Sequence, residues 1–109
     1  MPSNITKLFR AIADPTRREI FHILILATAT LSITQISDQF SMSRQAVTKH
    51  IKYLEKAGLV SIEESGRERF IHANALPLKE IKDWVGYYEQ FWDDKLIKLG
   101  RHLEKKRNS

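Results

Sequence analysis

Ser43-Arg44-Gln45-Ala46-Val47-Thr48-Lys49-His50-Ile51-Lys52-Tyr53-Leu54-Glu55-Lys56-Ala57-Gly58-Leu59-Val60 is a stretch in which an apolar face and a cationic face share one helix. At about 100° per residue, Ala46, Val47, His50, Ile51, Leu54 and Ala57 fall in one arc, and Gln45, Thr48, Lys49, Lys52 and Lys56 fall in the opposite one. Ser43 offers an N-cap oxygen, and Gly58 offers a C-terminal stop. The polar face carries groups that a DNA duplex can receive. Gln45 presents donor and acceptor together to a base edge, Thr48 bonds an edge or touches a thymine methyl, and the cations reach guanine or phosphate. A solvated amphipathic helix has the same pattern, so the flanking segments decide between the two readings.

Upstream, Ile5, Leu8, Phe9 and Ile12 at helical spacing predict a short first helix over 5–13. Asp14-Pro15 restarts the chain with an N-cap acid and a proline at the first helical position. Ile20, Phe21, Ile23, Leu24 and Leu31 then predict a buried second helix to about Thr28. Ser32-Ile33-Thr34-Gln35 has the form of a capping box, which opens a third helix over about 33–40. Only Ser41-Met42 separates that helix from the one starting near Ser43, so the two must cross steeply, as in a helix-turn-helix. After Gly58 the pattern alternates. Leu59 to Glu63 and Arg69 to Ala73 predict two strands joined through 64–68, with Gly66 free to take positive φ. A basic-tipped hairpin directly after a DNA-reading helix is a wing. Pro77 opens a long last helix, about 78–105.

Composition is consistent with this order. With 109 residues, 42% hydrophobic, the chain suits one domain with a real core. The net charge of +5 favours a polyanionic partner, although an acidic protein or a membrane surface would attract it too. Cysteine is absent, which excludes disulfides and thiolate metal sites. No apolar run reaches the ~20 residues of a membrane span, and the N-terminal residues lack a signal-peptide pattern. A cytoplasmic protein that does not enter membranes is expected. There is no nucleophile elbow, phosphate-cradling glycine loop or paired acids in an evident pocket, so no enzyme is expected.

Leu8-Phe9-Arg10-Ala11-Ile12-Ala13-Asp14-Pro15-Thr16-Arg17-Arg18, Met42-Ser43-Arg44-Gln45-Ala46-Val47-Thr48-Lys49-His50-Ile51 and Leu54-Glu55-Lys56-Ala57-Gly58-Leu59-Val60 occur in that order. In this combination the chain resembles the ArsR/SmtB family of winged-helix repressors, in particular its metal-independent, SdpR-like branch. The resemblance implies a dimer on double-stranded DNA, with Arg44, Gln45, Thr48 and Lys49 in the major groove and Lys52 nearer phosphate. Ser43 at the helix start belongs to the same DNA-facing set. Arg67 and Arg69 on the wing would contact the backbone or the minor groove. One departure is Ser41, at a turn position where relatives often carry glycine; a left-handed backbone there costs ~1 kcal/mol. The other departure concerns metal sensing. Helix 3 has no cysteine, the last helix offers His102 with Asp83 far from it, and His22, His50, His72 and His102 share no metal-ligand spacing. For His22 and His50 a core or half-buried imidazole is expected.

Ile81, Trp84, Val85, Tyr88, Phe91, Trp92, Leu96, Leu99 and Leu103 form a wide apolar stripe on the last helix. So long a stripe exceeds what the rest of a small domain covers, which predicts a dimer interface built from this helix and from helix 1 through Leu8, with Trp84, Phe91 and Trp92 as anchors. The basic tail, Lys95, Lys98, Arg101, Lys105, Lys106 and Arg107, is expected to be solvated. Glu63, Glu64 and Glu68 place negative charge beside the wing arginines, where they would blunt nonspecific phosphate attraction.

The expected fold class is mainly α with a small β-hairpin, a winged helix-turn-helix with a long C-terminal dimerisation helix. It forms a single domain over 1–109, with the helix-turn-helix and wing at 14–76 and dimerisation helices at 5–13 and 77–105. The expected function is a homodimeric, sequence-specific transcriptional repressor on a pseudo-palindromic operator, with no cofactor and no metal. Two alternatives remain open at this level. One is a winged-helix protein-interaction module that has given up DNA, and the other is a DNA-binding sensor of a small-molecule or protein effector.

Overall fold

A computed structural model describes the backbone of residues 4–108 and the side chains of residues 4–92. The elements run α1 (Ile5–Ala13), α2 (Pro15–Leu26), β1 (Leu31–Ser32), α3 (Ile33–Phe40), α4 (Arg44–Lys56), β2 (Val60–Ser65), β3 (Glu68–Ala73), a 3-10 turn (Leu76–Leu78) and α5 (Lys79–Asn108). The chain divides into two units, one ending at Lys79 and the other beginning at Glu80.

The local signals that set these elements are visible in the first unit. Asp14 caps α2 by accepting a hydrogen bond from the Arg17 amide at 3.0 Å, with Pro15 opening the helix. Ser32 and Gln35 close the expected capping box: the Gln35 amide donates to Ser32 Oγ at 3.2 Å, and the Ser32 amide donates to Gln35 Oε1 at 2.8 Å. Ser43 Oγ accepts from the Ala46 amide at 3.1 Å and opens α4. Past the end of α4, Gly58 takes φ +79°, which an L side chain resists. Ser41, between α3 and α4, is left-handed at φ 51° and ψ 37°, so the tight turn does carry the backbone conformation that glycine would adopt more cheaply.

Three features differ from the sequence expectation. Helix α2 ends at Leu26 and not near Thr28, because Ala27 is already extended and leads the chain toward β1. The hairpin is longer than expected. Its loop shortens to Gly66 and Arg67, with Ser65 facing Glu68 across the ladder, and Gly66 takes φ +63° at the first central position, as a II′-type turn demands. A third strand is new: β1 pairs antiparallel with β3, Leu31 facing Ile71 and Ser32 facing Phe70, in a sheet of order β1-β3-β2.

The core collects at least one buried side chain from every element of this unit up to β3, and its largest fully buried side chains include Leu8, Ile20, Ile36, Ile51, Leu54, Ile71 and Leu59, which lies between α4 and β2. On α4, Val47, Ile51 and Leu54 are fully buried, while Ala46 and His50, toward one side of the predicted arc, sit half-buried. Leu8 requires a correction. Expected at a dimer interface, it has no exposed surface at all, because α1 packs on α2 and α4 and turns Leu8 and Ala11 inward. A second copy cannot touch that side chain. His22 is likewise corrected from core or half-buried to exposed, since it lies about 200° around α2 from the buried Ile20.

In the second unit, α5 runs as one 30-residue helix. Trp84, Tyr88, Phe91 and Trp92 are between 40% and 49% exposed, and Ile81 and Val85 are half-buried. Tyr87, not assigned from sequence, is also exposed and meets Tyr88 and Phe91 edge-on, with ring centroids 5.0 and 5.8 Å away. The side chains of Leu96, Leu99, Leu103, His102 and the basic tail lie outside the described residues. Among the described residues, no helix is long and apolar enough to cross a membrane.

Candidate nucleic-acid interface

Helix α4 is held by its buried face and by one flank, and this leaves the opposite side to solvent. Arg44, Gln45, Lys49 and Lys52 are exposed and Thr48 is half-buried. Their spacing of i, i+1, i+4, i+5 and i+8 makes one continuous stripe. Ser43 is exposed at its N-terminal end with Oγ engaged as the cap. The Thr48 hydroxyl donates to the Arg44 carbonyl oxygen at 2.7 Å, so its hydrogen is used within the helix, and its methyl and an oxygen lone pair remain for a ligand.

The cations of this surface fall into two sets. Arg44, Lys49 and, at the hairpin tip, Arg67 are exposed and form no ion pair among the described residues. Lys52 Nζ lies 3.7 Å from Glu55 Oε1, one turn along α4, and Arg69 Nε lies 3.5 Å from Glu64 Oε1, its direct cross-strand partner. On the other face of the hairpin, His72 Nε2 and Glu63 Oε2 are 2.7 Å apart. Pairs this exposed contribute little to stability, yet they decide which cations meet a polyanion unaccompanied. Among the described residues no group of three His, Cys, Asp or Glu could hold a metal ion.

The flank of α4 is anchored by residues that the sequence reading did not assign. Arg17 Nε donates to the Ala11 carbonyl at 2.8 Å and Nη2 to the Arg10 carbonyl at 2.7 Å. Arg18 Nη1 donates to the carbonyls of Ile12 and Ala13 at 2.6 and 3.2 Å. Two consecutive arginines of α2 thus satisfy the last four carbonyls of α1, which have no partner within that helix. The Arg17 guanidinium also lies over the Tyr53 ring, 4.5 Å from its centroid, a cation–π contact that reaches α4. Beside it, Asp14 Oδ2 is 3.9 Å from His50 Nδ1. The hydrogen bond from the Arg17 amide, followed by the neighbouring charges, holds the Asp14 carboxyl below the usual aspartate pKa. The available signal is the pair of arginines four and five residues after a helix end, a position from which a long cation folds back on free carbonyls.

Comparison with known proteins agrees with this geometry. Residues 12–63 match a family described as a helix-turn-helix domain. The chain is 37% identical over 91 residues to the HTH-type transcriptional regulator YuzN of Bacillus subtilis, covering 78% of this chain and 99% of that protein. It is 26% identical over 81 residues to the transcriptional repressor SdpR of the same organism, covering 74% of this chain and 88% of SdpR. Among solved structures, the ArsR-like transcriptional regulator from Rhodococcus sp. RHA1 superposes with a TM-score of 0.73 at 28% identity, over 94% of this chain and 92% of that one. The crystal structure of the ArsR family regulator RHA00566 gives a TM-score of 0.75 at 25% identity, over 84% and 93% of the two chains.

Proposed function

This chain belongs to the ArsR family of winged helix-turn-helix transcriptional regulators, and on that premise we propose that it is a cytoplasmic, homodimeric repressor that reads a pseudo-palindromic operator without sensing a metal. The observation that carries the reading is the exposed stripe of α4, where Arg44, Gln45, Thr48 and Lys49 stand together on a helix whose other faces are held by the core and the α1–α2 junction. A recognition helix needs this combination: a rigid mount, a bidentate side chain for base edges and unpaired cations for guanine and phosphate.

Each part of the proposal has its own support. Gln45 and Arg44 are the base readers, Lys49 and Lys52 serve guanine or phosphate, and Arg67 and Arg69 on the wing meet the backbone or minor groove. Repression is supported by the resemblance to SdpR, named a transcriptional repressor; promoter occlusion is the mechanism that needs nothing beyond binding. Dimerisation is supported by the exposed aromatic face of α5, where Tyr88, Phe91 and Trp92 would meet their counterparts in a second copy. The absence of cysteine supports metal independence.

Fluorescence anisotropy tests the reading. Duplexes enriched by the protein from a random library are compared with scrambled duplexes of the same length at ~150 mM salt. Preference for the enriched duplex of about 1000-fold is expected, with affinity falling as salt rises at a log–log slope of about −0.9 per neutralised phosphate. Equal, weak binding to both would overturn the base-reading role.

A further inference from the structure

Resting on the reading of α4 and the hairpin as a DNA interface, we propose that Glu55 and Glu64 are specificity-determining residues: by pairing Lys52 and Arg69 they suppress attachment to random DNA more than attachment to the operator. The two outer cations of the surface each have a carboxylate within 4 Å, at 3.7 and 3.5 Å, whereas Arg44, Lys49 and Arg67 have none among the described residues. The pairings are built into the fold. Glu55 sits three residues after Lys52 on α4, where side chains are neighbours. Glu64 and Arg69 are opposed in the β2–β3 register, on the same side of the sheet as the opposed pair Ile62 and Ile71. Ile71 is buried, so this is the side that packs on the helices.

These pairs are exchangeable. All four side chains are at least 40% exposed, and a phosphate at the right position can take the cation from its carboxylate. Random DNA is bound through phosphate attraction alone, in a complex that averages over many registers. Such a complex meets the carboxylates of Glu55 and Glu64 as readily as the cations beside them, and it bears the full repulsion. On the operator, base contacts fix one register, in which Lys52 and Arg69 are handed to phosphates and the carboxylates turn to solvent. A cation leaving a carboxylate frees that carboxylate to take up a counterion, so each pair contributes less to the salt slope than a free cation does.

The test uses full-length Glu55→Gln and Glu64→Gln, with Glu19→Gln as a control of equal charge change at an exposed position on α2. Anisotropy titrations against the enriched and scrambled duplexes are run across a salt series. Relative to Glu19→Gln, each variant is expected to bind scrambled DNA about 2- to 5-fold more tightly, to gain less on the enriched duplex, and to steepen the scrambled-DNA slope by up to ~0.9. The same gain from Glu19→Gln, or an equal gain on both duplexes, overturns the proposal. A wild type that prefers the enriched duplex while both variants behave like it overturns this inference alone. A wild type with no preference overturns the DNA-reading role and this inference with it.

Discussion

Helices α4 and α5 are both amphipathic, and they dispose of their apolar faces in opposite ways. On α4 the apolar residues Val47, Ile51 and Leu54 are fully buried in their own chain, and what remains exposed is polar and cationic apart from the Tyr53 ring on the flank, over which Arg17 lies. On α5 the exposed face is itself aromatic, with Tyr87, Tyr88, Phe91 and Trp92 at 40% to 59% exposure. A helix that has satisfied its apolar face is a rigid mount for chemistry on the other side. A helix that leaves an aromatic face in water carries a free-energy reserve that association can release. Under the proposed function the working surface is the polar face on α4 and the apolar face on α5.

The contrast predicts different failures. Truncating α4 at its buried face should cost the most: Ile51→Ala is expected to lower unfolding free energy by about 2–5 kcal/mol, read by denaturant unfolding. A loss well under 1 kcal/mol would mean that α4 is not mounted by the core. Trp92→Ala on α5 should act on assembly, weakening the proposed dimer by about 2 kcal/mol in sedimentation equilibrium with the first unit's fold intact by circular dichroism. An unchanged dimer would move the interface away from this face.

Smaller effects sharpen the account of how α4 is held. Asp14 caps α2 and faces His50 on α4, and its carboxyl is held below the usual pKa chiefly by the Arg17 amide. A carboxyl depressed in the folded state stabilises above its unfolded pKa of about 3.9 and loses that contribution as pH falls through the folded value. Stability should therefore drop below about pH 4 more steeply in the wild type than in Asp14→Asn, which lacks the titrating group. Asp14→Ala should cost about 1 kcal/mol at neutral pH through the lost cap. Parallel acid profiles would remove Asp14 from the account. Ser41→Gly should stabilise by up to ~1 kcal/mol, because the αL backbone at φ 51° no longer strains a Cβ. A destabilised variant would show that the Ser41 side chain supports the turn.

What the sequence makes legible is short-range. The caps of α2, α3 and α4 and the stop at Gly58 are each set within four residues, and all can be read from the chain. The strand β1 cannot, because two residues show no alternation and Leu31 finds Ile71 only when the fold is closed. The hairpin ends are hidden for a related reason: Glu64, Ser65 and Glu68 look like loop but continue the ladder by backbone pairing. Periodicity marks Leu8 as apolar-facing without saying whether its partner is the same chain or another, and the packing of α1 decides that it is core. The exposed position of His22, by contrast, follows from its angle to Ile20. The roles of Arg17 and Tyr53 depend on where α1 ends in space relative to α4. The exposed set on α4 is legible as a set, and so is the i,i+3 spacing of Lys52 and Glu55, but the pairing of Arg69 on the hairpin needs its cross-strand register with Glu64.

The most direct test of the central claim is the binding of Gln45→Ala to the enriched and scrambled duplexes, measured by anisotropy at one salt concentration. If the polar face of α4 reads bases, affinity for the enriched duplex falls about ten- to hundredfold while affinity for scrambled DNA stays within about twofold, since the phosphate contacts are untouched. Equal losses on the two duplexes, or none on either, would contradict it.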